Sequence, residues 1–107
     1  MEIPGDIEEE LETKGGVDQL LKKIDKLDVE DRLKVHKALS NRLRLKILAL
    51  LGEQDLCVCL LKDILETEDS KLSYHLSVLK DEGLIEGERD ANFVIYRLTE
   101  KGERFAP

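Results

Sequence analysis

Apolar residues recur every three or four positions through much of the chain from residue 17 onward, the spacing that predicts amphipathic helices. The first predicted helix carries five apolar residues on one face: Val17, Leu20, Leu21, Ile24 and Leu27. A second, weaker segment follows Asp28, whose carboxylate can cap it. The third segment has the clearest period, with Ser40 or Asn41 as its cap and Gly52 as its predicted end.

Two shorter helices and a pair of strands follow. One helix is predicted from Cys57 to about residue 66, and its inward residues are Val58, Leu61, Ile64 and Leu65. The next runs from Ser70 to about residue 82 and ends before Gly83, where a left-handed residue is usual. Beyond Gly83 the apolar period changes from about 3.6 to about 2 residues. Residues 84–89 and 93–98, around residues 90–92, therefore predict a β-hairpin, and residues 99–107 predict one further helical turn.

This order of elements predicts a mainly α protein with a small β-hairpin, which is a winged helix-turn-helix. The helix that begins at Ser70 has the two faces that such a fold needs. Its predicted inner side holds Leu72, Leu76 and Leu79, and its outer side holds Ser70, Lys71, Ser73, Tyr74 and Ser77. Residues 1–16 show no sustained apolar period and predict a flexible acidic arm, so residues 17–107 are the predicted winged-helix domain for DNA binding and dimerisation.

The outer side of that helix is a candidate DNA-binding surface, because small polar side chains can enter a major groove about 12 Å wide. An ordinary solvated helix face is the alternative, and the hairpin that follows favours DNA binding. At the hairpin, Arg89 and Asn92 are candidates for phosphate or minor-groove contacts, as is Arg97 on the returning strand. Arg89 could instead pair with a neighbouring carboxylate. Arg42 and Arg44 add positive charge earlier in the chain.

The net charge of −7 at first argues against a nucleic-acid partner, since phosphate contacts need Lys and Arg. Much of the acidity lies at the amino-terminal end, where residues 1–35 hold 11 acids and 6 bases, against 13 acids and 11 bases in residues 36–107. A chain of 107 residues is expected to form one domain with a small hydrophobic core. A dimer interface would help to complete that core. No apolar run approaches the ~20 residues of a membrane helix, so a cytoplasmic protein without a membrane partner is expected.

Cys57 and Cys59 are separated by one residue, which does not suggest a framework of structural disulfides. They lie at the predicted start of a helix, where the helix dipole favours the thiolate that binds soft ions. Structural cysteines without a signal role and a redox-active pair are the alternatives. His75 is predicted to be a hydrogen-bonded packing residue, whereas His36 has no evident partner. No nucleophile with a neighbouring base and no phosphate-binding glycine loop points to an enzyme.

Residues 36–98, about 60% of the chain, resemble the ArsR/SmtB family of winged-helix repressors. The matching segments are ALSNRLRLKILALL, DLCVC, SKLSYHLSVLKDEGLI and NFVIYRL. The resemblance implies a transcriptional repressor that binds double-stranded DNA as a homodimer at an inverted repeat. It also implies that the helix bearing Val17 to Leu27 forms the dimer contact, and that metals, metalloids or thiol chemistry release the protein from DNA.

The cysteine pair matches the Cys-x-Cys of arsenic-, cadmium- and lead-sensing members, which add a third thiol. Here Lys62 stands at one position for that thiol, and the amino-terminal arm has no cysteine. The resemblance therefore implies no required cofactor, with As(III), Cd(II) or a similar soft ion as a possible signal at Cys57 and Cys59. A buffer thiol, water, His36 or His75 would complete the shell. A protein-protein interaction module without inducer sensing is the alternative function.

Overall fold

The computed structural model describes residues 2–107, and these form seven helices and three strands. In chain order the elements are α1 (Gly5–Thr13), α2 (Gly16–Asp25), α3 (Val29–Leu39), α4 (Arg42–Glu53), β1 (Leu56–Cys57), α5 (Val58–Leu65), α6 (Asp69–Asp81), β2 (Ile85–Asp90), β3 (Phe93–Leu98) and α7 (Glu100–Phe105). The predicted mainly α fold with a β-hairpin is confirmed. Within residues 2–107, no helix combines the length and the apolar character required to cross a bilayer.

The chain divides into two compact units, the first ending at Arg32 and the second comprising Leu33–Pro107. In the first unit, α1 occupies a stretch for which the sequence predicted no helix. Its first turn carries Asp6 and Glu8, which the positive end of the helix dipole stabilises, and Glu10 pairs with Lys14 at 2.9 Å one turn later. These local interactions favour a helix in which Ile7 and Leu11 are the only apolar residues. The mobility of the arm and the boundary at residue 16 stay predictions.

The second unit is built on one cluster of buried apolar side chains. Its members come from α3, α4, α5, α6 and the sheet with its adjoining residue: Val35, Ile47, Leu48, Leu51, Leu56, Leu61, Leu72, Leu76, Leu79, Leu84 and Ile85. Each helix contributes one stripe, because side chains three and four positions apart lie on the same face. Burial of this aliphatic surface is the main stabilising term for the unit. The core therefore lies directly behind α6 and the strands that follow it.

Side-chain caps stabilise the first turns of α3 and α4. The Asp28 carboxylate accepts a hydrogen bond from the Asp31 N–H at 3.0 Å, and the Asn41 side chain accepts one from the Arg44 N–H at 3.1 Å. Asn41, rather than Ser40, is thus the cap of α4. The predicted end of α4 at Gly52 is wrong by one residue. The helix continues to Glu53 and stops where Gln54 adopts an extended backbone.

The end of α6 follows the prediction. Gly83 has a φ of +72°, in the left-handed region that a residue without Cβ adopts at little cost. The Gly83 N–H donates to the Lys80 carbonyl at 2.9 Å, and the Leu84 N–H donates to the Leu79 carbonyl at 3.0 Å. Leu79 and Leu84 are both fully buried. This turn closes α6 and directs the chain straight into the hairpin.

The sheet has three antiparallel strands in the order β1-β3-β2. The predicted hairpin is confirmed: Asp90 pairs with Phe93 across a two-residue turn in which Ala91 has a φ of +54°. The sequence did not predict β1, because two residues are too few to show an alternating pattern. β1 pairs with β3 through Leu56 opposite Tyr96 and Cys57 opposite Ile95. The predicted final helical turn is α7.

Candidate nucleic-acid interface and thiol pair

α5 and α6 form a helix-turn-helix. The connection between them contains residues 66–68, and Glu66 turns the chain with a φ of +49°. α5 buries Leu61 fully and Val58 and Leu65 partly. The prediction that Ile64 faces inward is wrong, since this side chain is 47% exposed. α5 is only 8 residues long, so its buried stripe is narrow and its last turn reaches solvent.

The two faces of α6 are as the sequence predicted. Leu72, Leu76 and Leu79 are buried, with at most 3% of each residue exposed. The opposite side is exposed along its length and carries Ser70, Lys71, Ser73, Tyr74 and Ser77. The Tyr74 ring, 62% exposed, stands out from this face. We call these five residues the polar face of α6. A helix held by leucines on one side and polar on the other has the form of a recognition helix.

The β2–β3 hairpin follows α6 directly and forms the wing. Arg89 and Asn92 are both exposed near its tip. Within residues 2–107 no ion pair involves Arg89, so the alternative in which it pairs with Glu88 or Asp90 is not the arrangement observed. Phe93, which the sequence reasoning did not single out, is 54% exposed at the same end of the hairpin.

Two arginines that the sequence suggested as sources of positive charge bind within the protein. Arg97 pairs with Asp55 at 3.3 Å and with Glu88 at 2.9 Å, linking β3 to β2 and to the residues before β1. The prediction of Arg97 as a phosphate contact is therefore not supported. Arg44 bonds to His75 and to the Ala38 carbonyl. Arg42, the first residue of α4, remains exposed.

Cys57 and Cys59 lie together at the junction of the sheet and α5. Cys57 ends β1 and precedes the first residue of α5, and Cys59 lies in the first turn of that helix. Their Sγ atoms are 2.7 Å apart, and both thiols are free. Cys59 is exposed and Cys57 is half-buried. The pair is thus open to a ligand or reagent from solution, and one of its members belongs to the same sheet as the wing.

The two thiols differ in acidity. A hydrogen bond from the Cys59 thiol lowers the pKa of Cys57, and the Leu60 backbone N–H lowers it further. The Cys57 side chain forms no regular helix-cap hydrogen bond. The same contact raises the pKa of Cys59, since the proton it shares with Cys57 is harder to remove. The contact therefore favours the thiolate form of Cys57 over that of Cys59.

The thiol pair supplies two ligands for a soft ion, and the described residues around it supply no third. Within residues 2–107, no group of three His, Cys, Asp or Glu side chains is placed to hold a metal. Lys62 forms an ion pair with Asp69 at 2.9 Å. His75 is buried against Arg44, and His36 packs edge-on against Phe105 with ring centroids 5.8 Å apart. Neither histidine is placed to complete the shell. A cleft of about 380 Å³ beside the thiols, lined also by Val58, Asn92 and Phe93, leaves room for an external ligand.

The predicted dimer residues form a continuous apolar stripe on α2. Val17, Leu20, Leu21, Ile24 and Leu27 are each between 43% and 63% exposed. Leu27 lies two residues beyond the end of α2 at Asp25, and the other four lie within the helix. Exposed aliphatic surface of this extent is typical of a protein-protein contact.

A leucine-anchored helix with an exposed polar face, followed at once by a β-hairpin, defines a winged helix-turn-helix DNA-binding protein. Comparison with known proteins gives the family. Residues 41–87 match the family model described as bacterial regulatory protein, arsR family. A cadmium resistance transcriptional regulatory protein CadC homolog of Staphylococcus aureus is 35% identical over 86 residues, which cover 79% of this chain and 71% of that protein. The chain belongs to the ArsR family of transcriptional regulators.

Two further comparisons agree with this assignment. An arsenical resistance operon repressor of Bacillus subtilis is 41% identical over 66 residues, covering 61% of this chain and 63% of that one. The homodimeric winged helix-turn-helix DNA-binding domain of a possible ArsR-family regulator from Mycobacterium bovis superposes with a TM-score of 0.65. It is 28% identical, and the match covers 72% of this chain and 71% of that domain.

Proposed function

We propose that this protein is a repressor that binds an inverted-repeat DNA site as a homodimer, with the polar face of α6 in the major groove. The observation that carries the proposal is the exposure of the whole polar face while the leucines behind it are buried. In this arrangement the small Ser70, Ser73 and Ser77 side chains let the helix approach base edges closely. Lys71 and Tyr74 reach phosphates or bases at the margins of the helix.

The wing and the start of α4 complete the proposed contact. Arg89 and Asn92 are exposed near the tip of the hairpin, where a winged helix meets the minor groove or the adjacent phosphates. Arg42 is exposed at the first residue of α4. These cations oppose a formal charge of −7, of which the amino-terminal third carries the larger share.

The apolar stripe on α2 supports the homodimer. Two copies that bury this stripe against each other are related by a two-fold axis, because the same patch is used on both subunits. Two-fold symmetry presents two copies of α6 to DNA, and the matching site is an inverted repeat with half-sites about one helical turn apart. The homodimeric Mycobacterium bovis domain supports the same assembly.

Cys57 and Cys59 are the proposed signal site. Two adjacent thiols, one with a lowered pKa, can separate to bind a soft ion such as As(III) or Cd(II), with an external thiol or water as the remaining ligand. Oxidation of the pair is the competing signal, although a disulfide across one intervening residue is strained. Either event changes the junction of β1 and α5, and β1 pairs directly with β3 of the wing. The pairing of β1 with β3 is a short structural route from the thiols to the DNA contact.

Binding to the DNA upstream of the protein's own coding region tests the main proposal. Binding is measured by fluorescence anisotropy with a labelled duplex at several salt concentrations. The logarithm of the binding constant is expected to fall linearly with the logarithm of the salt concentration, because phosphates that contact the protein release their counterions. An unrelated duplex of the same length is the control for specificity. A protein-protein interaction module would bind neither duplex, and that result would favour the alternative function.

The thiol pair is tested by release from DNA. A Cys57→Ser, Cys59→Ser double variant is expected to keep its DNA affinity and to lose release by arsenite or cadmium. In the reverse direction, Lys62→Cys adds a thiol at the position where related sensors carry one, and cadmium is expected to act at a lower concentration. Lys62→Ser is the matched control, since it also removes the ion pair with Asp69. Normal release by the double variant would rule out the sensor assignment.

A further inference from the structure

The inner side of α6 contains a polar contact that the DNA-binding face does not explain. Among the described residues, His75 is the buried polar side chain on this helix, with 7% of the residue exposed between the positions of Leu72 and Leu79. Its Nδ1 atom lies 2.9 Å from Nη1 of Arg44, which comes from the first turn of α4. The two residues are 31 positions apart, and no local pattern in the sequence connects them.

Arg44 joins three parts of the second unit. Its backbone N–H is held by the Asn41 cap, its Nε donates to the Ala38 carbonyl near the end of α3, and its Nη1 reaches His75. The guanidinium is planar and its donors point in fixed directions. One rigid group therefore connects the carboxyl end of α3, the amino end of α4 and the middle of α6.

A directional contact adds something that leucine packing does not. Hydrophobic burial is nondirectional, so leucines alone allow a helix to rotate or slide by small amounts at low cost. A hydrogen bond between a charged donor and a buried acceptor weakens steeply when its angle or length changes. Rotation of α6 would move the polar face and His75 together, since both belong to the same helix.

We propose that Arg44 is a positioning residue for DNA recognition, whose hydrogen bond to His75 fixes the orientation of α6 and so of its polar face. The proposal rests on the proposed DNA-binding function. It requires His75 to be neutral, with its proton on Nε2 and its Nδ1 lone pair toward Arg44, because the guanidinium has donors only.

The surroundings of His75 favour this neutral form. Burial lowers the pKa of His75, and the positive charges of Arg44 on α4 and Lys71 on α6 lower it further. The Tyr74 ring packs edge-on against the imidazole, with ring centroids 5.2 Å apart. The buried residue that β2 contributes is Ile85, which carries no charge. Protonation removes the acceptor and places a second cation against Arg44. DNA affinity is therefore expected to depend on pH through this one contact.

The test compares the wild type with His75→Asn, in which the amide oxygen offers Arg44 an acceptor that does not titrate. DNA affinity is measured at constant salt from about pH 7.5 down to the pH at which NMR shows the His75 imidazole to be protonated, because the lowered pKa of His75 places that change below its ordinary value of 6.5. The wild type is expected to lose about tenfold more affinity than the variant over this range, which corresponds to one hydrogen bond to a charged group. Circular dichroism at each pH confirms that both proteins remain folded.

The outcomes separate this inference from the function it depends on. The positioning role is supported if the wild type binds DNA much more weakly at low pH and His75→Asn does not. It is also supported if an Arg44→Lys variant binds DNA weakly at every pH, because an ammonium cannot donate to the Ala38 carbonyl and to His75 in the fixed geometry of the guanidinium. Tight binding with the same pH profile in wild type and His75→Asn overturns the positioning role and leaves the proposed function standing. No binding by the wild type at about pH 7.5 overturns both.

Discussion

α2 and α6 both carry apolar side chains at helical spacing, yet α6 buries Leu72, Leu76 and Leu79 within the chain while α2 leaves its stripe exposed. The two helices have comparable lengths, 10 and 13 residues, and both carry polar or charged side chains on the remaining surface. The difference shows that an amphipathic pattern predicts a helix face to be buried but does not show whether the same chain or another chain buries it. For α6 the partner is the core of the second unit. For α2 we propose that it is a second copy of the protein.

The largest expected effect is on the buried stripe of α6. Leu79→Ala removes a fully buried side chain and is expected to lower the free energy of unfolding by about 2–5 kcal/mol, from lost burial and the cavity left behind. Urea denaturation followed by circular dichroism measures the change. Ser77→Ala, on the exposed side of the same helix, is the control and is expected to stay within about 0.5 kcal/mol of the wild type. Equal effects of the two changes would contradict the assignment of the faces.

The next effect concerns the exposed stripe of α2. A Leu21→Asp, Ile24→Asp double variant is expected to be monomeric, because it places two carboxylates in an apolar contact. Loss of the second DNA-binding subunit is expected to weaken binding to an inverted repeat by about a hundredfold. Size-exclusion chromatography with light scattering gives the mass, and anisotropy gives the affinity. Lys22→Ala, off the apolar stripe, serves as control. A dimeric double variant would show that the subunits meet elsewhere.

The smallest effect compares the charged surfaces of the two helices. Lys71→Ala is expected to reduce the salt dependence of DNA binding by about one unit of slope, because one phosphate contact is lost. Lys22→Ala on α2 is expected to leave the slope unchanged, since the proposed α2 surface meets protein rather than DNA. Anisotropy titrations at several salt concentrations measure both. A matching reduction in the Lys22 variant would place α2 near the DNA and weaken the contrast between the helices.

Much of the fold follows from patterns that the sequence displays directly. The leucine period located α6, the Ser40-Asn41 pair marked the start of α4, and Gly83 marked the end of α6, because each of these signals acts within a few residues. The polar face of α6 could be read in the same way, since burying one stripe leaves the opposite side exposed. Where local signals were weak, prediction was less complete. α1 has only two apolar residues, Ile7 and Leu11, β1 has two residues in all, and Ile64 lies on a helix too short to bury its whole apolar side.

The thiol pair marks an intermediate case. The spacing places Cys57 and Cys59 at the start of α5, where a helix amino terminus favours a thiolate. Their contact depends on the extended backbone of Cys57, because side chains two positions apart within a helix do not face each other. Which of the two ionises first depends on the direction of the hydrogen bond between them, which the sequence does not contain. The pairing of Cys57 with Ile95 is likewise invisible in the sequence, because it joins residues 38 positions apart through backbone groups that every residue has.

The order of the helices, the hairpin and the polar side of α6 were determined by the sequence alone, because hydrophobic period, caps and turn residues act over short distances. The tertiary structure decided which charged groups are free to meet DNA. Arg42, Arg44 and Arg97 are equivalent as cations in a sequence, yet Arg42 is exposed, Arg44 binds His75 and Arg97 binds Asp55 and Glu88. The physical reason is that an arginine's partner is set by which carboxylate or acceptor the folded chain brings within about 3 Å, and long-range contacts alone determine that.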